Sequence, residues 1–408
     1  MSVTAVQGFE AGGLASGIKP SGAPDLSMVA TVDRVPVTAV GVFTTNLVAA
    51  APVQVSKLHL ADGRAAAVVL NSGNANAATG AQGRADSLRM CELAATGLGV
   101  ATADVLVCQT GLIGIPMPMA PVESGVPKLA ANLSADDAGG LAAADAMLTT
   151  DTVRKQTLVE LDLPASPFGH GGGGTTVRVG GMAKGAAMLA PAMATMLAVL
   201  TTDAAVDADA LQILLTDAVG SSFNSLVVDA CTSTNDTVLV LANAKAGNDV
   251  ITVDSGPAFH LLGEALAAAC ADLARQMAAD AEGATKLATL TVNGARTNHE
   301  AQLAARQVAS SQLVQCSLYG NDPYWGRVLS ELGVSGAWFD QEDVEVSYQG
   351  VTVCRHGIAA EHDVDALAEK MGARDIEIVC DLHAGHGTAT MLFTDLTHAY
   401  VDENMGTS

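Results

Sequence analysis

Short apolar runs broken by small and polar residues alternate with stretches of helical period along this chain of 408 residues. Ala66-Ala67-Val68-Val69-Leu70 is too short for a helix and reads as a buried strand, followed by Asn71-Ser72-Gly73-Asn74-Ala75-Asn76, a polar turn-forming loop. Ala85 to Leu98 carries a helical pattern that stops at Gly97 and Gly99. Val105-Leu106-Val107-Cys108 predicts a second buried strand. Gln109-Thr110-Gly111-Leu112-Ile113-Gly114 then places a hydroxyl and a glycine at its end, as suits a functional loop on a rigid scaffold.

The second half is more regular. Asp207 to Val219 sets Leu211, Leu214, Leu215, Ala218 and Val219 on one helical face, and Pro257 to Ala281 predicts a long Ala-rich helix. Leu287 to Val292 predicts a strand, Val344 to Val353 two short strands about Gln349-Gly350, and Ile376 to Asp381 and Thr388 to Phe393 two more. Long helices and strands in separate runs point to an α+β fold, a layered sandwich of sheets covered by helices.

Composition narrows the function classes. Apolar residues make up 49% and charged residues 15%, so a large core is easily filled. The net charge of −23 argues against nucleic acid or an anionic membrane surface as partner, since both need basic patches. Cys91, Cys108, Cys231, Cys270, Cys316, Cys354 and Cys380 form no C-x-x-C pair and read as reduced core residues of a cytosolic protein. The histidines form no H-E-x-x-H, and His383 and His386 near Cys380 read as loop residues, so no metal is expected. No basic n-region precedes an apolar h-region and no long apolar run occurs, so a cytoplasmic location is expected.

Gly169-His170-Gly171-Gly172-Gly173-Gly174 suggests a phosphate cradle, but it lacks the G-x-x-x-x-G-K-[ST] spacing, and Thr175 to Val179 after it alternates like a strand. A hairpin tip or surface insertion is the better reading, which disfavours a nucleotide enzyme.

Lys184-Gly185-Ala186-Ala187-Met188-Leu189-Ala190-Pro191-Ala192-Met193-Ala194-Thr195-Met196-Leu197 is the most informative segment. By local sequence, Thr195 is simply the first residue of a buried strand. If the Ala194-Thr195 bond breaks, however, Thr195 gains an α-amine beside its own hydroxyl. That amine, with a reference pKa of about 8, can act as the base a threonine nucleophile needs. The segment resembles the self-cleavage region of the ornithine acetyltransferase (glutamate N-acetyltransferase) family, approximately K-G-x-G-M-x-x-P-x-M-A-T-M-L. Lys184, Gly185, Met188, Pro191, Met193, Ala194, Thr195, Met196 and Leu197 match, while Ala187 replaces a glycine and makes the loop less permissive.

Further matching stretches are Leu70 to Asn76, Cys108 to Gly114, Cys231-Thr232-Ser233-Thr234-Asn235-Asp236-Thr237, Gly320 to Val328 and Thr394 to Val401, so the resemblance runs from about Gly17 to the C-terminus. It implies acetyl transfer from N2-acetylornithine to glutamate through an acetyl-Thr195 ester, with acetyl-CoA as a conceivable second donor and no cofactor. Thr110 and Gly111 would stabilise the oxyanion, and Thr149, Lys184, Thr195, Glu282 and Asn404 would bind substrate. The final contact would fall to Ser408 or Thr407, because this tail lacks the family's usual tyrosine. The resemblance also implies self-cleavage into an α chain, 1–194, and a β chain, 195–408, associating as α2β2. Two other readings of the same residues are an N-terminal-nucleophile hydrolase or peptidase, and an uncleaved, non-catalytic binding protein.

Overall fold

Buried aliphatic runs set the sheets of the computed structural model, which describes residues 2–164, 174–188 and 196–405. In chain order the strands are Phe9–Leu14 (β1), Leu26–Thr31 (β2), Val37–Phe43 (β3), Arg64–Ala65 (β4), Ala67–Asn74 (β5), Val105–Leu112 (β6), Lys155–Leu163 (β7), Thr175–Lys184 (β8) and Leu197–Thr202 (β9). There follow Leu226–Val227 (β10), Thr237–Ala242 (β11), Leu287–Ala295 (β12), Glu345–Tyr348 (β13), Val351–Arg355 (β14), Ile358–Ala359 (β15), Asp375–Asp381 (β16) and Gly387–Thr394 (β17). The chain divides into two compact units: residues 1–185, 192–224 and 232–277 form the first, and 186–191, 225–231 and 278–408 the second.

The first unit holds two sheets, β1-β2-β5-β6 and β4-β3-β11-β9-β8-β7. Val29, Val68, Leu70 and Leu106 of one and Met182, Leu197, Val199 and Leu239 of the other share one core, joined by Ala143, Ala144 and Met147 at the end of the helix Asp137–Ala146. The outer face of the first sheet carries Met28, Val69 and Val107 against Met90, Ala94, Val122 and Val126 of the helices Gly80–Leu98 and Met119–Ala130. Beside the second sheet the helix Ala208–Gly220 begins with the Asp207 carboxylate accepting from the Ala210 N–H, and it buries Leu211, Leu214, Leu215, Ala218 and Val219. The arrangement is the expected layered sandwich, driven by burial of one apolar stripe per helix.

The second unit is built on the sheet β10-β17-β12-β16-β13-β14-β15. Its core joins Leu290, Val292, Ile378 and Phe393 of the strands to Ala301, Ala305, Val308, Val314, Val328 and Leu367 of the helices packed on it. The expected strand pair turns at Gln349-Gly350, both at positive φ, between β13 and β14.

Several expectations needed revision. Asn71 to Asn74 and Gln109 to Leu112 read as loops but extend β5 and β6, which pair in parallel through Ser72 opposite Thr110 and Gly73 opposite Gly111. Polar side chains can stay in a buried strand here because the Gln109 amide donates to Asn71 Oδ1 at 2.7 Å. The strand expected over Thr175 to Val179 continues to Lys184. Cys231 and Cys316 are exposed, whereas the other five cysteines lie in the core as expected. Residues 169–173 of the glycine tract lie outside the described residues, as does the Ala194-Thr195 bond at which the chain was expected to divide.

Among the described residues no helix is long and apolar enough to cross a membrane. The β1 strand meets the helix Asp137–Ala146 so closely that a Cβ at Gly13 would overlap the main-chain carbonyl of Ala142 and press on Ala146. Gly13→Ala is therefore expected to destabilise the protein by about 1–3 kcal/mol, the usual cost of overpacking, as a lowered denaturation midpoint in urea. An unchanged midpoint would contradict this packing.

Candidate active site

In the first unit four of the residues singled out from sequence converge on the ends of β6 and β8. Thr110 is the last buried residue of β6. Lys184 ends β8, where its register partner across the antiparallel pair is Leu197, two residues after Thr195. Its ammonium is buried and donates to the Thr110 hydroxyl at 3.5 Å. A hydroxyl that accepts from a cation is polarised to donate its own proton more strongly, which is what a developing oxyanion requires. Gly111, at φ +134, lies so close to β5 that a Cβ would overlap the backbone of Gly73 and Asn74, so glycine is obligatory there.

Asp151, which the sequence reading did not select, organises this corner. Its Oδ1 accepts from Lys155 Nζ at 2.6 Å and from the Gly185 N–H at 2.7 Å. Its Oδ2 accepts from the Thr149 N–H at 3.1 Å and from the Thr149 hydroxyl at 3.4 Å, and it lies 3.8 Å from Lys184 Nζ. Burial alone would raise this carboxyl, but the Lys184 and Lys155 ammoniums, with the Gly185 N–H, hold it well below the usual range. Lys19 adds a further cation whose Nζ donates to the carbonyls of Pro24 and Leu148 at 2.7 and 2.6 Å. Burial lowers its pKa, with Asp25 opposing and Lys184 adding to the fall. The corner is thus a buried, cation-rich cluster beside a hydroxyl and a glycine, with the chemistry to stabilise negative charge.

The other two described candidates meet within the second unit, where Asn404 Nδ2 donates to Glu282 Oε2 at 2.7 Å and the Glu282 N–H donates to Ala186 O at 2.9 Å. Here too Met188 N–H and the Tyr400 hydroxyl both donate to Asp229 Oδ2, at 2.5 and 3.0 Å. Among the described residues of this loop Gly185 and Met188 take positive φ, +155 and +56, while Ala187, in the family's glycine position, does not. The alanine therefore costs the loop no strain. Ala194, Thr195, Thr407 and Ser408 lie outside the described residues.

Asp151, Lys155 and Lys19 were missed because each reads alone as an ordinary surface charge. Asp151 did stand two residues from Thr149, which the resemblance marked. Among the described residues no group of three or more His, Cys, Asp and Glu is placed to hold a metal ion. His383, at φ +49, follows β16 in a loop.

Two predictions follow from the geometry of this corner. Asp151→Asn leaves two ammoniums without their carboxylate and should cost about 3–5 kcal/mol at neutral pH, as for other broken buried pairs. Because its folded pKa is depressed, the contribution of Asp151 is in place above the ordinary carboxyl range, roughly 3.9. It is lost as pH falls through that range toward the depressed folded value. Chemical denaturation of the parent and the variant should therefore show a gap that closes in acid; a pH-independent gap would contradict the assignment. If Thr110 and Gly111 stabilise an oxyanion, as the resemblance implies, Gly111→Ala should lower kcat for acyl transfer by about 10²-fold or more in protein of parent fold.

Comparison with known proteins gives a consistent picture. Residues 10–406 match the ArgJ family. The arginine biosynthesis bifunctional protein ArgJ of Symbiobacterium thermophilum is 45% identical over 402 residues, covering 98% of this chain and 97% of its own. The crystal structure of arginine biosynthesis bifunctional protein ArgJ from Bacillus halodurans is 36% identical with a TM-score of 0.49, over 50% of this chain and 96% of that chain. Ornithine acetyltransferase from Mycobacterium tuberculosis, complexed with ornithine, is 42% identical with a TM-score of 0.41, over 47% of this chain and 94% of that chain.

Proposed function

The chain belongs to the ArgJ family, and we propose that its chemistry runs through Thr195, released as an N-terminal residue when the Ala194-Thr195 bond breaks. In this reading the activity is acetyl transfer in arginine biosynthesis, from N2-acetylornithine to glutamate, giving ornithine and N-acetylglutamate; the family and the name of its relatives support it. The observation that carries the assignment of residues is the placement of Lys184. Its ammonium lies 3.5 Å from the Thr110 hydroxyl, and its register partner is Leu197, two residues beyond Thr195.

In the first half-reaction the Thr195 hydroxyl attacks the acetyl carbonyl while its α-amine takes the proton. The Thr110 hydroxyl and the Gly111 N–H donate to the tetrahedral oxyanion. As the intermediate collapses, the C–N bond breaks, the proton passes to the departing α-amine of ornithine, and the acetyl group remains as an ester on Thr195. In the second half-reaction the α-amine of glutamate attacks that ester and the proton returns to the Thr195 oxygen, which regenerates the nucleophile. Acetyl-CoA, as a second donor, would acylate the same oxygen. Lys184 and Thr149 are suited to an α-carboxylate, Glu282 with Asn404 to a side-chain ammonium such as that of ornithine, and the final substrate contact falls to Ser408 or Thr407.

Cleavage itself is an N→O acyl shift, in which the Thr195 hydroxyl attacks the Ala194 carbonyl and water then opens the ester. The α chain, 1–194, and the β chain, 195–408, stay associated as α2β2 in the cytoplasm. Denaturing electrophoresis with mass spectrometry tests this directly: the parent protein should give two chains meeting at residues 194 and 195. Thr195→Ala should give one chain near 41.1 kDa with no transfer activity. Normal transfer by that variant would overturn the mechanism.

A further inference from the structure

The matching stretch Cys231 to Thr237 has no part in the chemistry above, yet within the first unit it touches both sides of it. Asn235 is 4% exposed and its carboxamide is saturated. Nδ2 donates to the main-chain carbonyls of Gln109 at 2.8 Å and Ala75 at 2.6 Å, while Oδ1 accepts from the Thr234 hydroxyl at 2.5 Å. The Gln109 carbonyl belongs to the peptide that leads into Thr110. Asp236, fully buried, accepts the N–H of Met196 through Oδ1 at 2.8 Å, and the Thr237 N–H donates to the Met196 carbonyl at 3.2 Å. Both polar groups of the Met196 backbone are therefore held from this stretch.

The stretch is itself anchored at three points. The Thr44 N–H donates to Asp236 O at 2.9 Å, the Thr44 hydroxyl to Ser233 O at 2.8 Å, and the Ala50 N–H to Thr234 O at 2.8 Å. Oδ2 of Asp236 is buried and accepts no hydrogen bond among the described residues. Burial pushes this carboxyl well up, against the opposing pull of the Met196 N–H, the Ser233 hydroxyl and the Lys184 ammonium. A buried carboxyl kept at that cost needs a reason, and holding a catalytic backbone is one.

We infer that Asn235 and Asp236 are a pair of positioning residues. Through one side chain they hold the strand that bears Thr110 and Gly111, and through the other the residue after Thr195, so that a single peptide unit sets the spacing between nucleophile and oxyanion donors. The inference rests on the reading of Thr195 as nucleophile. Neither side chain touches substrate; each acts through the backbone that it fixes. Such spacing matters because a displacement of about 1 Å can cost 10²-fold in rate.

The test compares Asn235→Asp, which keeps the shape and loses both donors, with Asp236→Asn, which keeps the acceptor for Met196, and Asp236→Ala, which removes it. Cleavage state, thermal midpoint, kcat and KM for acetylornithine and glutamate are measured on each purified protein. Asn235→Asp and Asp236→Ala should lose at least about 10-fold in kcat with KM changed by less than about 3-fold. Asp236→Asn should stay within about 3-fold of the parent in both. Parent kcat in Asn235→Asp or Asp236→Ala, or a loss expressed in KM, would overturn the pair.

If those two variants do not fold, Asp236→Asn decides alone, since a large kcat loss with the acceptor retained is incompatible with the role. Failure of the underlying reading looks different: the parent itself would be uncut and form no acetyl-protein with acetylornithine.

Discussion

One buried carboxylate, Asp151, holds together the corner where β6 and β8 end. It takes hydrogen bonds from Lys155, Gly185 and Thr149 and pairs with Lys184. These groups come from the loop before β7, the start of β7 and the end of β8, which the antiparallel pair sets side by side with Lys155 opposite Ala183. Two ammoniums this deep in the protein would be prohibitively costly without it. With it, Lys184 is held in reach of Thr110 and the Gly185 N–H is fixed as the chain leaves β8.

The sheets supply the rigid frame around that charge cluster. Parallel pairing of β5 with β6 extends past their apolar parts through Ser72, Gly73, Thr110 and Gly111. It is supported below by buried amides: Asn76 Nδ2 donates to Gln109 Oε1 at 2.9 Å, and the Ser87 hydroxyl donates to the same oxygen at 2.8 Å. Parallel pairing of β9 with β11 then ties Leu197 to Thr237, immediately after Asp236. Thr110, Gly111 and Leu197 thus belong to two sheets that share a core, and buried hydrogen-bond networks specify their relative register more sharply than apolar packing does.

The second unit has polar contacts of its own. Glu282 and Asn404, far apart in the chain, bond to each other, and Asp229 receives both the Met188 N–H and the Tyr400 hydroxyl. Burial raises the pKa of that hydroxyl, as does the neighbouring Asp229 charge, so it remains a donor. Ordering the loop after β8 falls to a carboxylate in this unit, which explains how Met188 keeps a left-handed conformation without glycine.

Periodicity alone was enough for the apolar elements. The helix faces of Leu211 to Val219, the strand Val105 to Cys108 and the turn at Gln349-Gly350 stand where the pattern put them, because burial of one face is a local property of residue order. Motif order likewise marked Thr110, Gly111, Thr149, Lys184, Glu282 and Asn404 as a set. What the chain order could not contain was which charges are buried together. Asp151, Lys155, Asn235 and Asp236 are unremarkable polar residues in one dimension, and Asn71 and Gln109 read as loop. Their roles depend on hydrogen-bond partners up to 160 positions away, and only packing in three dimensions decides whether a polar group is solvated on the surface or satisfied in the core.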